Sequence, residues 1–492
     1  MDSHDKWYTS ATIPMMVVSE NCMNNIASQN VQTATDSIQK RLTDYAGALT
    51  YDHLTADAIH AAKVRIIDTL GALMGGFFGR PCQIARKMAA KVPSPDGATV
   101  LGTRLKTTPD MAAFVNSTTS RYVELNDVYH WPGSASGHPS DVVMPVFAAA
   151  EHARVSGPDL IAGVVLAYEV YLRISDAADN ASFDFSNYTC LATSVAAGKL
   201  LGLTPTQLAH CISMAVVPNN ILGQVRTGYL SMWKAVASGH AGKAGVFAAL
   251  LAQEDMEGPH MPFEGKNGWC NYITCKSFAL DTMGGNGTPF KIKDTLIKPR
   301  SSCASTISSI LAAEKVAPRL KGNINAVKSV KVEIYQKAMK MGTGEHHWNP
   351  QTREGADHSI PYVVAAAMMD GTVTPRQFND AHLWSPELRA LLPKIQVCAN
   401  EEFTRDYEKQ RPVIHRTRVT VITDSGEQIV GESGGDLGDL SEPKTDAQIS
   451  EKFRGLTEDL LGTKQVSHLL ETLWNLENLK QAATIPALLV LD

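Results

Sequence analysis

The chain lacks the features that mark a membrane protein, a secreted protein or a nucleic-acid-binding protein. Its 492 residues carry a formal net charge of −5, whereas a nucleic-acid-binding domain usually has a basic surface. No uninterrupted apolar run approaches the ~20 residues that cross a bilayer. The first 20 residues have neither a basic region followed by an apolar core nor an Arg-rich pattern, so we expect no signal peptide or mitochondrial presequence. We therefore expect a cytoplasmic protein without a membrane or nucleic-acid partner.

Clustered cysteines and nucleotide-binding glycines are also missing. The eight cysteines are scattered and form no CxxC pair, which argues against a disulfide framework, a zinc site or an iron–sulfur cluster. The sequence contains neither GxGxxG nor GxxxxGK[ST], the usual phosphate-binding loops. We expect no metal and no cofactor.

Helical signals are plentiful from residue 36 to about residue 285, after a polar stretch (residues 1–35) that we interpret as a loose extension. In LTADAIHAAKVRIIDTLGALMGG, apolar residues recur at helical spacing after Thr55, a plausible N-cap. In LGLTPTQLAH, Gly202 ends one helix, and Thr204 with Gln207 predicts a capping box for the next. Helices rich in Ala and Gly predict a tightly packed multi-helix domain.

The pattern changes after GGNGTP and changes again near residue 437. KSVKVEIY alternates apolar and polar residues like a half-buried strand, and RTRVTVITDSGEQIVGES predicts a β-hairpin turning at Asp424–Gly426. Ser385 should cap a helix in SPELRALLPKI. We therefore predict a mainly α protein in which a smaller α+β domain (286–437) is inserted into a helical domain (36–285 and 438–492).

Three segments concentrate ionisable residues at the ends of predicted elements. ELNDVYHWPGSASGHPSD (124–141) holds Glu124 and Asp127, which could share a helix face, and His138. Lys234 lies within an apolar helix, where lysine usually extends to solvent but could instead bind an anion inside a cavity. The third segment, DTLIKPRSSCAST (294–306), holds Lys298 just before a predicted helix. The plain alternatives are a solvated loop for the segment holding His138 and a surface basic turn for the segment holding Lys298.

Taken together, these segments combine cations, histidines and acids without a metal or nucleotide motif. Desolvated carboxylates need cationic partners, and proton transfer needs an acid and a base. The pattern therefore favours proton chemistry beside a carboxylate of a small polycarboxylate substrate.

The same segments resemble the MmgE/PrpD family, which includes 2-methylcitrate dehydratase, cis-aconitate decarboxylase and an iminodisuccinate epimerase. The resemblance runs in order over residues 35–490. It rests on RIIDTLGALMGG, TPDMAAFVNSTTSRYVELND with GHPSD, AAGKLLGLTP, VRTGYLSMWKAVASGHAGKAGVFAALLA, PFEGKNG and TREGADHSIPYVVAAAMMDG. It implies a helical domain with an inserted α+β lid, a homodimer, and an active site between helical domain and lid without metal or cluster.

The resemblance also assigns residues by position. His138, Asp127, Lys234 and Lys298 match catalytic positions, and Glu124 stands where Asp is more usual. Arg226 matches the arginine of a preceding motif, and His358 matches a histidine that recurs at the start of a lid helix. Phe185 departs from the pattern, because many members have histidine there.

These assignments lead to three hypotheses. The first is a cofactor-independent dehydratase (hydro-lyase) of a citrate-like or 2-alkylcitrate tricarboxylate, in which Lys234, Lys298 and Arg226 bind carboxylates. His138 would be the leading acid or base, oriented by the carboxylate of Asp127 or Glu124. The second is a decarboxylase or epimerase of a related di- or tricarboxylate, and the third is a catalytically silent binding protein. Phe185 either lines the substrate cavity, which would favour an extended alkyl tail, or packs in the core away from it.

Overall fold

The computed structural model describes residues 35–131, 137–178, 182–409, 413–435 and 439–491. The predicted extension at residues 1–35 lies almost entirely outside these residues. So do positions 132–136 in the Gly/Ser part of the segment that precedes His138.

A large helical core forms from two separate parts of the chain, residues 38–297 and 449–489. Helix α2 (Ala56–Gly76) lies against both α4 (Pro109–Tyr122) and the returning α19 (Asp446–Leu461), which joins the two parts. The helices of this part are α1 (Ser37–Ala48), α2 (Ala56–Gly76), α3 (Arg80–Ala89), α4 (Pro109–Tyr122), α5 (Val143–His152), α6 (Gly157–Ala177), α7 (Ser186–Leu200), α8 (Pro205–Val216), α9 (Trp233–Gln253) and α10 (Trp269–Tyr272), with α19 (Asp446–Leu461) and α20 (Thr463–Trp474) near the C-terminus. The mainly helical class predicted from the sequence is confirmed.

Local signals in the sequence place the helix ends well. Thr55 is the N-cap of α2, which ends at Gly76. The capping box at α8 is also confirmed, because the Thr204 hydroxyl accepts from the Gln207 N–H and the Gln207 side chain accepts from the Thr204 N–H. These contacts satisfy backbone donors that a helix start leaves without partners.

Among the described residues, α9 is long and apolar enough to cross a membrane by length and composition alone. However, 67% of its most apolar stretch is buried inside the protein. It packs between α4, α7 and α8, as the central helix of a globular core does.

A second, smaller core contains a four-stranded sheet. Its strands are β3 (Val327–Ile334), β4 (Ile395–Ala399), β5 (Thr417–Thr423) and β6 (Gln428–Ser433), and their order across the sheet is β4-β3-β5-β6. A two-stranded hairpin elsewhere pairs β1 (Pro93–Thr99) with β2 (Lys106–Thr107). Its helices are α11 (Ile307–Leu320), α12 (Gln336–Gly342), α13 (Glu345–Trp348), α14 (Arg353–Ala356), α15 (Ile360–Asp370), α16 (Asp380–Leu383), α17 (Pro386–Leu391) and α18 (Glu401–Lys409). Helix α11 covers the β5–β6 side of the sheet and packs on α15.

The predicted hairpin, the predicted strand and the Ser385 cap are confirmed. Two expectations about local structure are wrong. The helix predicted within SPELRALLPKI (385–395) ends earlier, at Leu391, and Ile395 already begins β4, which pairs with β3 in parallel. Glu124 and Asp127 share no helix face, since α4 ends at Tyr122 and both residues follow it in a loop.

Candidate active site

Glu124 is the centre of a buried ionic cluster between the two cores. It follows α4 with a φ of 53°, a left-handed conformation that a non-glycine residue rarely adopts outside functional or tightly held sites. Arg121 donates to both carboxylate oxygens at 2.8 and 3.1 Å, while Lys298 and Lys234 lie 2.8 and 3.0 Å away. Burial alone would raise the pKa of Glu124, but these three cations hold it well below its usual value. Glu124 is therefore an anion at neutral pH.

Asp357, in the loop that follows α14, is the second buried acid of this cluster. Its carboxylate accepts from Lys234 Nζ at 2.8 and 2.9 Å and from Arg353 Nη1 at 3.1 Å. Its Oδ1 also lies 2.5 Å from His358 Nδ1. Burial opposes ionisation, but Lys234 and His358 lower the pKa of Asp357 to about 2. Lys234 thus links the two acids, one from each part of the fold.

Cations outnumber the acids in this cluster. Among the described residues, four Lys and Arg side chains pair with the two central acids, Glu124 and Asp357, namely Arg121, Lys234, Lys298 and Arg353. A third acid, Asp141, lies 3.5 Å from Arg121 Nε, and burial raises its pKa to about 6. Arg353 Nη2 is buried without a hydrogen-bond partner among the described residues. The surplus positive charge and this free N–H suit an anionic ligand.

Lys234 and Lys298 do not extend to solvent, because each residue has 0% of its surface exposed. Lys234 is the second residue of α9. Lys298 donates to the Glu124 backbone oxygen and to the Ser302 carbonyl, both at 3.0 Å, besides the Glu124 carboxylate. Burial lowers the pKa of Lys298, although Glu124 opposes this change. Of the two interpretations of Lys234, extension to solvent is therefore wrong.

His138 lies beside Glu124 as a neutral imidazole. Its Nδ1 is 2.7 Å from the Asp127 carbonyl oxygen, and its Nε2 is 3.5 Å from Glu124 Oε1. Burial, with Arg121 and Lys298, holds the pKa of His138 well below its usual value. A carbonyl can only accept a hydrogen bond, so the proton of the neutral ring lies on Nδ1. Nε2 therefore carries the lone pair and can act as a base.

Asp127 positions His138 through its backbone rather than through its carboxylate. The carboxylate accepts from the Ser140 N–H at 2.9 Å and from the Tyr168 hydroxyl at 3.0 Å. Both contacts fix the loop that carries His138. The expected carboxylate–imidazole bond from Asp127 is thus replaced by a carbonyl–imidazole bond.

Arg226 and Phe185 form the other side of the His138 environment. The guanidinium of Arg226 donates to Asp184 Oδ2 at 2.7 Å and stacks 4.2 Å above the Phe185 ring. The Phe185 and His138 rings meet edge to face with centroids 5.3 Å apart. Arg226 Nη2 is buried without a hydrogen-bond partner among the described residues. Phe185 therefore packs against His138 rather than away from it.

The sequence alone did not single out Arg121, Arg353, Asp357 or Cys303. Arg121 and Asp357 lie within TSRYVELND and TREGADHS, close to residues that were singled out. Arg121 is three residues before Glu124, a spacing that favours ion pairing. Cys303 had no such signal, since a scattered cysteine usually fills a core.

Three donors, from Glu124, Asp357 and His358, lie within 4.8 Å of one another, which is a spacing compatible with metal ligation. However, both carboxylates already form ion pairs with Lys234, and Arg121, Lys298 and Arg353 provide further positive charge. A divalent cation here would face strong repulsion. The cations that surround these three donors therefore fit an anion, not a metal ion.

A cleft of about 900 Å³ lies next to this cluster, between α2 and α19 on one side and α11 on the other. Leu125 and Lys298 line it, together with Lys315 and Lys452. Glu124, Lys234 and Asp357 are at most 1% exposed, so a substrate reaches them only after some part of the protein moves.

A buried proton acceptor within a cationic cluster, at the junction of a helical and an α+β core, is an arrangement typical of an enzyme that acts on carboxylates. The chain belongs to the MmgE/PrpD family. The model of the MmgE/PrpD N-terminal domain matches residues 40–280, and that of the MmgE/PrpD C-terminal domain matches residues 301–478.

Similar characterised proteins carry two different names. The chain is 25% identical to human cis-aconitate decarboxylase over 479 residues. This aligned region covers 92% of this chain and 94% of the human protein. It is 26% identical over 435 residues to mitochondrial 2-methylcitrate dehydratase of Yarrowia lipolytica, covering 82% of this chain and 80% of that protein. A cis-aconitate decarboxylase of Aspergillus terreus is 24% identical over 489 residues, covering 93% and 96%. The similar proteins are thus dehydratases and decarboxylases, so the family assignment leaves the reaction open.

Proposed function

We propose that the protein is a lyase that removes water from a citrate-like or 2-alkylcitrate tricarboxylate. The observation that carries this proposal is the neutral His138 beside a buried cluster with surplus positive charge. The cluster supplies carboxylate binding and His138 supplies a base, which are the two requirements of proton abstraction next to a carboxylate.

Substrate binding would use the cations that internal acids do not saturate. Arg353 and Arg226 each have a buried N–H without a partner among the described residues. Lys234 shares Asp357 with Arg353, and its backbone carbonyl accepts from Arg226 Nη1 at 3.3 Å. When a proton leaves the carbon next to a bound carboxylate, negative charge moves onto the carboxylate oxygens. Fixed cations in a buried site stabilise that charge strongly, so the chemistry needs no metal or cofactor.

His138 would accept the proton through Nε2. The Asp127 carbonyl keeps the other ring nitrogen protonated, and Arg121 and Lys298 disfavour the charged ring before substrate binds. A substrate carboxylate that compensates part of this positive charge would raise the basicity of His138. Binding and base activation would therefore be coupled.

Decarboxylation is the second candidate function, and similar proteins named cis-aconitate decarboxylase favour it. A cationic cluster stabilises the carbanion-like charge left by departing CO₂ in the same way. Epimerisation, which returns the proton to the other face, uses the same intermediate. Product mass separates the three reactions: loss of water, loss of CO₂ or no change.

We also propose that the α+β part (286–437) acts as a lid and that the chain forms a homodimer. A moving lid would give substrate access to side chains that are at most 1% exposed. The dimer proposal is supported by α3 and α9, which contact each other and carry exposed apolar side chains. These are Ile84, Met88, Trp233 and Phe247 at 47–50% exposure. Light scattering should give a dimer mass, and Phe247→Glu should lower it.

The function is tested by incubating the protein with 2-methylcitrate, citrate and cis-aconitate and measuring product masses. Lys234→Met and His138→Gln should each lower kcat by about 10²–10⁴ on the active compound. Two matched control variants should keep activity. Lys40→Met replaces an exposed lysine, and His152→Gln replaces a histidine that, like His138, contacts a backbone carbonyl. Full turnover by both site variants, or no conversion of any compound, would contradict the proposal.

A further inference from the structure

The cluster contains a second group of ionisable side chains that the proposed base does not use. Cys303 has His358 as a neighbour, whose imidazole lowers the pKa of the thiol, and His358 Nδ1 lies 2.5 Å from Asp357 Oδ1. Cys303 is 9% exposed and directly precedes the 3₁₀ turn Ala304–Thr306. A thiol, an imidazole and a carboxylate in this order resemble the catalytic sets in which a histidine shuttles protons.

Backbone contacts fix the two segments that carry this group. The Cys303 N–H donates to the Asp357 carbonyl at 2.9 Å, and the Ser302 hydroxyl donates to the same oxygen at 2.6 Å. Main-chain geometry therefore sets the position of Cys303 relative to Asp357 and to the adjacent His358.

We propose that Cys303, His358 and Asp357 form a proton-delivery triad, a proposal that rests on the proposed lyase function. In this triad, the Cys303 thiolate and the His358 imidazolium make an ion pair, and His358 protonates the departing group.

The charges around His358 support its protonated form. Burial disfavours the cation, but Cys303 and Asp357 outweigh burial and the nearby Lys234, and raise the pKa of His358 to about 9. His347 is a further neighbour, and a Glu124 oxygen lies within 4.8 Å of a His358 ring nitrogen. Conversely, burial would raise the pKa of Cys303, but His358 lowers it below its ordinary value.

The triad adjoins the base across the same cluster. Glu124 Oε1 lies 3.5 Å from His138 Nε2, and a Glu124 oxygen also lies close to His358. Lys234 forms ion pairs with both Glu124 and Asp357. A substrate held by Lys234 would thus have an unprotonated His138 and a protonated His358 as neighbours. Two groups whose pKa values are moved in opposite directions are what an acid–base pair requires.

The proton balance of dehydration closes with these two groups. The C–H bond breaks, its proton goes to His138 Nε2, and its electron pair forms the double bond. The C–O bond breaks, and the hydroxyl leaves as water with the proton of His358. His138 then releases a proton to solvent and His358 takes one up. In decarboxylation, the electron pair freed by CO₂ would take the same His358 proton.

Cys303 acts here as a positioning residue, since its charge keeps His358 protonated without touching substrate. A serine would nearly keep the size of the side chain but lose the anion. We therefore expect Cys303→Ser to move the alkaline limb of the kcat–pH profile from about pH 9 down by about 1–3 units, with little change in KM. Cys303→Asp restores an anion and should return the limb toward its original position.

A measurement that needs neither substrate nor a folded variant tests the ion pair in the wild-type protein. Iodoacetamide alkylation of each cysteine is followed by mass spectrometry between pH 5 and 10, each rate being normalised to its own plateau. Cys303 should titrate below the exposed Cys275, whose expected midpoint is about 8.5, and His358→Asn should raise the Cys303 midpoint.

The outcomes separate the triad from the proposed function. Turnover together with an ordinary Cys303 midpoint, or an unchanged alkaline limb in Cys303→Ser, overturns the triad and leaves the lyase function standing. A low Cys303 midpoint without conversion of any carboxylate overturns the lyase function and the delivery role of His358, although the ion pair remains.

Discussion

Replacing Glu124 by glutamine tests the ionic cluster directly, because it removes one negative charge and little volume. The amide keeps the size of the side chain, but Arg121, Lys234 and Lys298 lose their shared counter-ion. Removing one partner of a buried ion pair typically costs about 3–5 kcal/mol. Since cations already outnumber acids here, we expect Glu124→Gln to reach the upper part of that range at pH 7.

The pH dependence of this loss follows from the pKa of Glu124. That pKa is lower in the folded protein than in the unfolded chain, so the ionised carboxylate contributes stability above the unfolded pKa of about 4.3. The contribution disappears as the pH falls through the lower, folded value. The difference in unfolding free energy between wild type and Glu124→Gln should therefore be constant from pH 5 to 7 and shrink below pH 4.

Urea unfolding followed by tryptophan fluorescence measures this difference. Glu427→Gln is the matched control, because Glu427 pairs with Arg319 on the surface, where both side chains are at least half exposed. Surface pairs contribute about 0–1 kcal/mol. A loss in Glu124→Gln no larger than in the control, or one independent of pH, would refute the cluster energetics.

The same variant separates a structural cluster from an anion site. If Glu124 competes with substrate carboxylates for the three cations, citrate should raise the melting temperature of Glu124→Gln more than that of wild type. An equal shift in both proteins would show that Glu124 does not compete with the ligand, and no shift in either would show that the cations are not available to it.

Three further predictions concern substrate, motion and helix capping. Because Phe185 contacts His138 and Arg226, a series of 2-alkylcitrates should gain about fourfold in kcat/KM per methylene placed against its ring (~0.8 kcal/mol each); a flat series in wild type and in Phe185→His would contradict this. If residues 286–437 close over the site, a tricarboxylate should slow hydrogen exchange near Lys298 and around residues 130–140, and identical exchange with and without ligand would argue against a lid. Thr204→Ala removes a capping hydrogen bond and should cost about 1 kcal/mol in urea unfolding, whereas Thr55→Ala, at an N-cap without that bond, should cost less.

Sequence reasoning located the elements whose signals are local. The capping box of Thr204 and Gln207, the Ser385 cap and the β5–β6 hairpin each depend on residues within a few positions of one another. It missed β4, because pairing with β3 joins segments more than sixty residues apart. It also missed β1, whose sequence PSPDGAT shows no alternation of apolar residues.

The candidate site shows the same division between local and non-local information. The sequence could place Lys234 on an apolar helix but could not give the direction of its side chain, which depends on Asp357, 123 residues away. It could identify His138 but not its tautomer, which the Asp127 carbonyl sets. Cys303 became a candidate only when the fold brought it to His358.

The internal acids give the cluster a further property, which concerns the charge of the substrate. Four buried cations without counter-ions would be very costly, so Glu124 and Asp357 stabilise the free enzyme by occupying them. A substrate must therefore bind either to the surplus N–H groups of Arg353 and Arg226 or in exchange for an internal contact. Two desolvated carboxylates would use the surplus, and a third would compete with Glu124 or Asp357 for a cation. Selection among di- and tricarboxylates then depends on how easily Lys234 changes partners, and a Lys234→Met variant should lose tricarboxylate affinity more than dicarboxylate affinity.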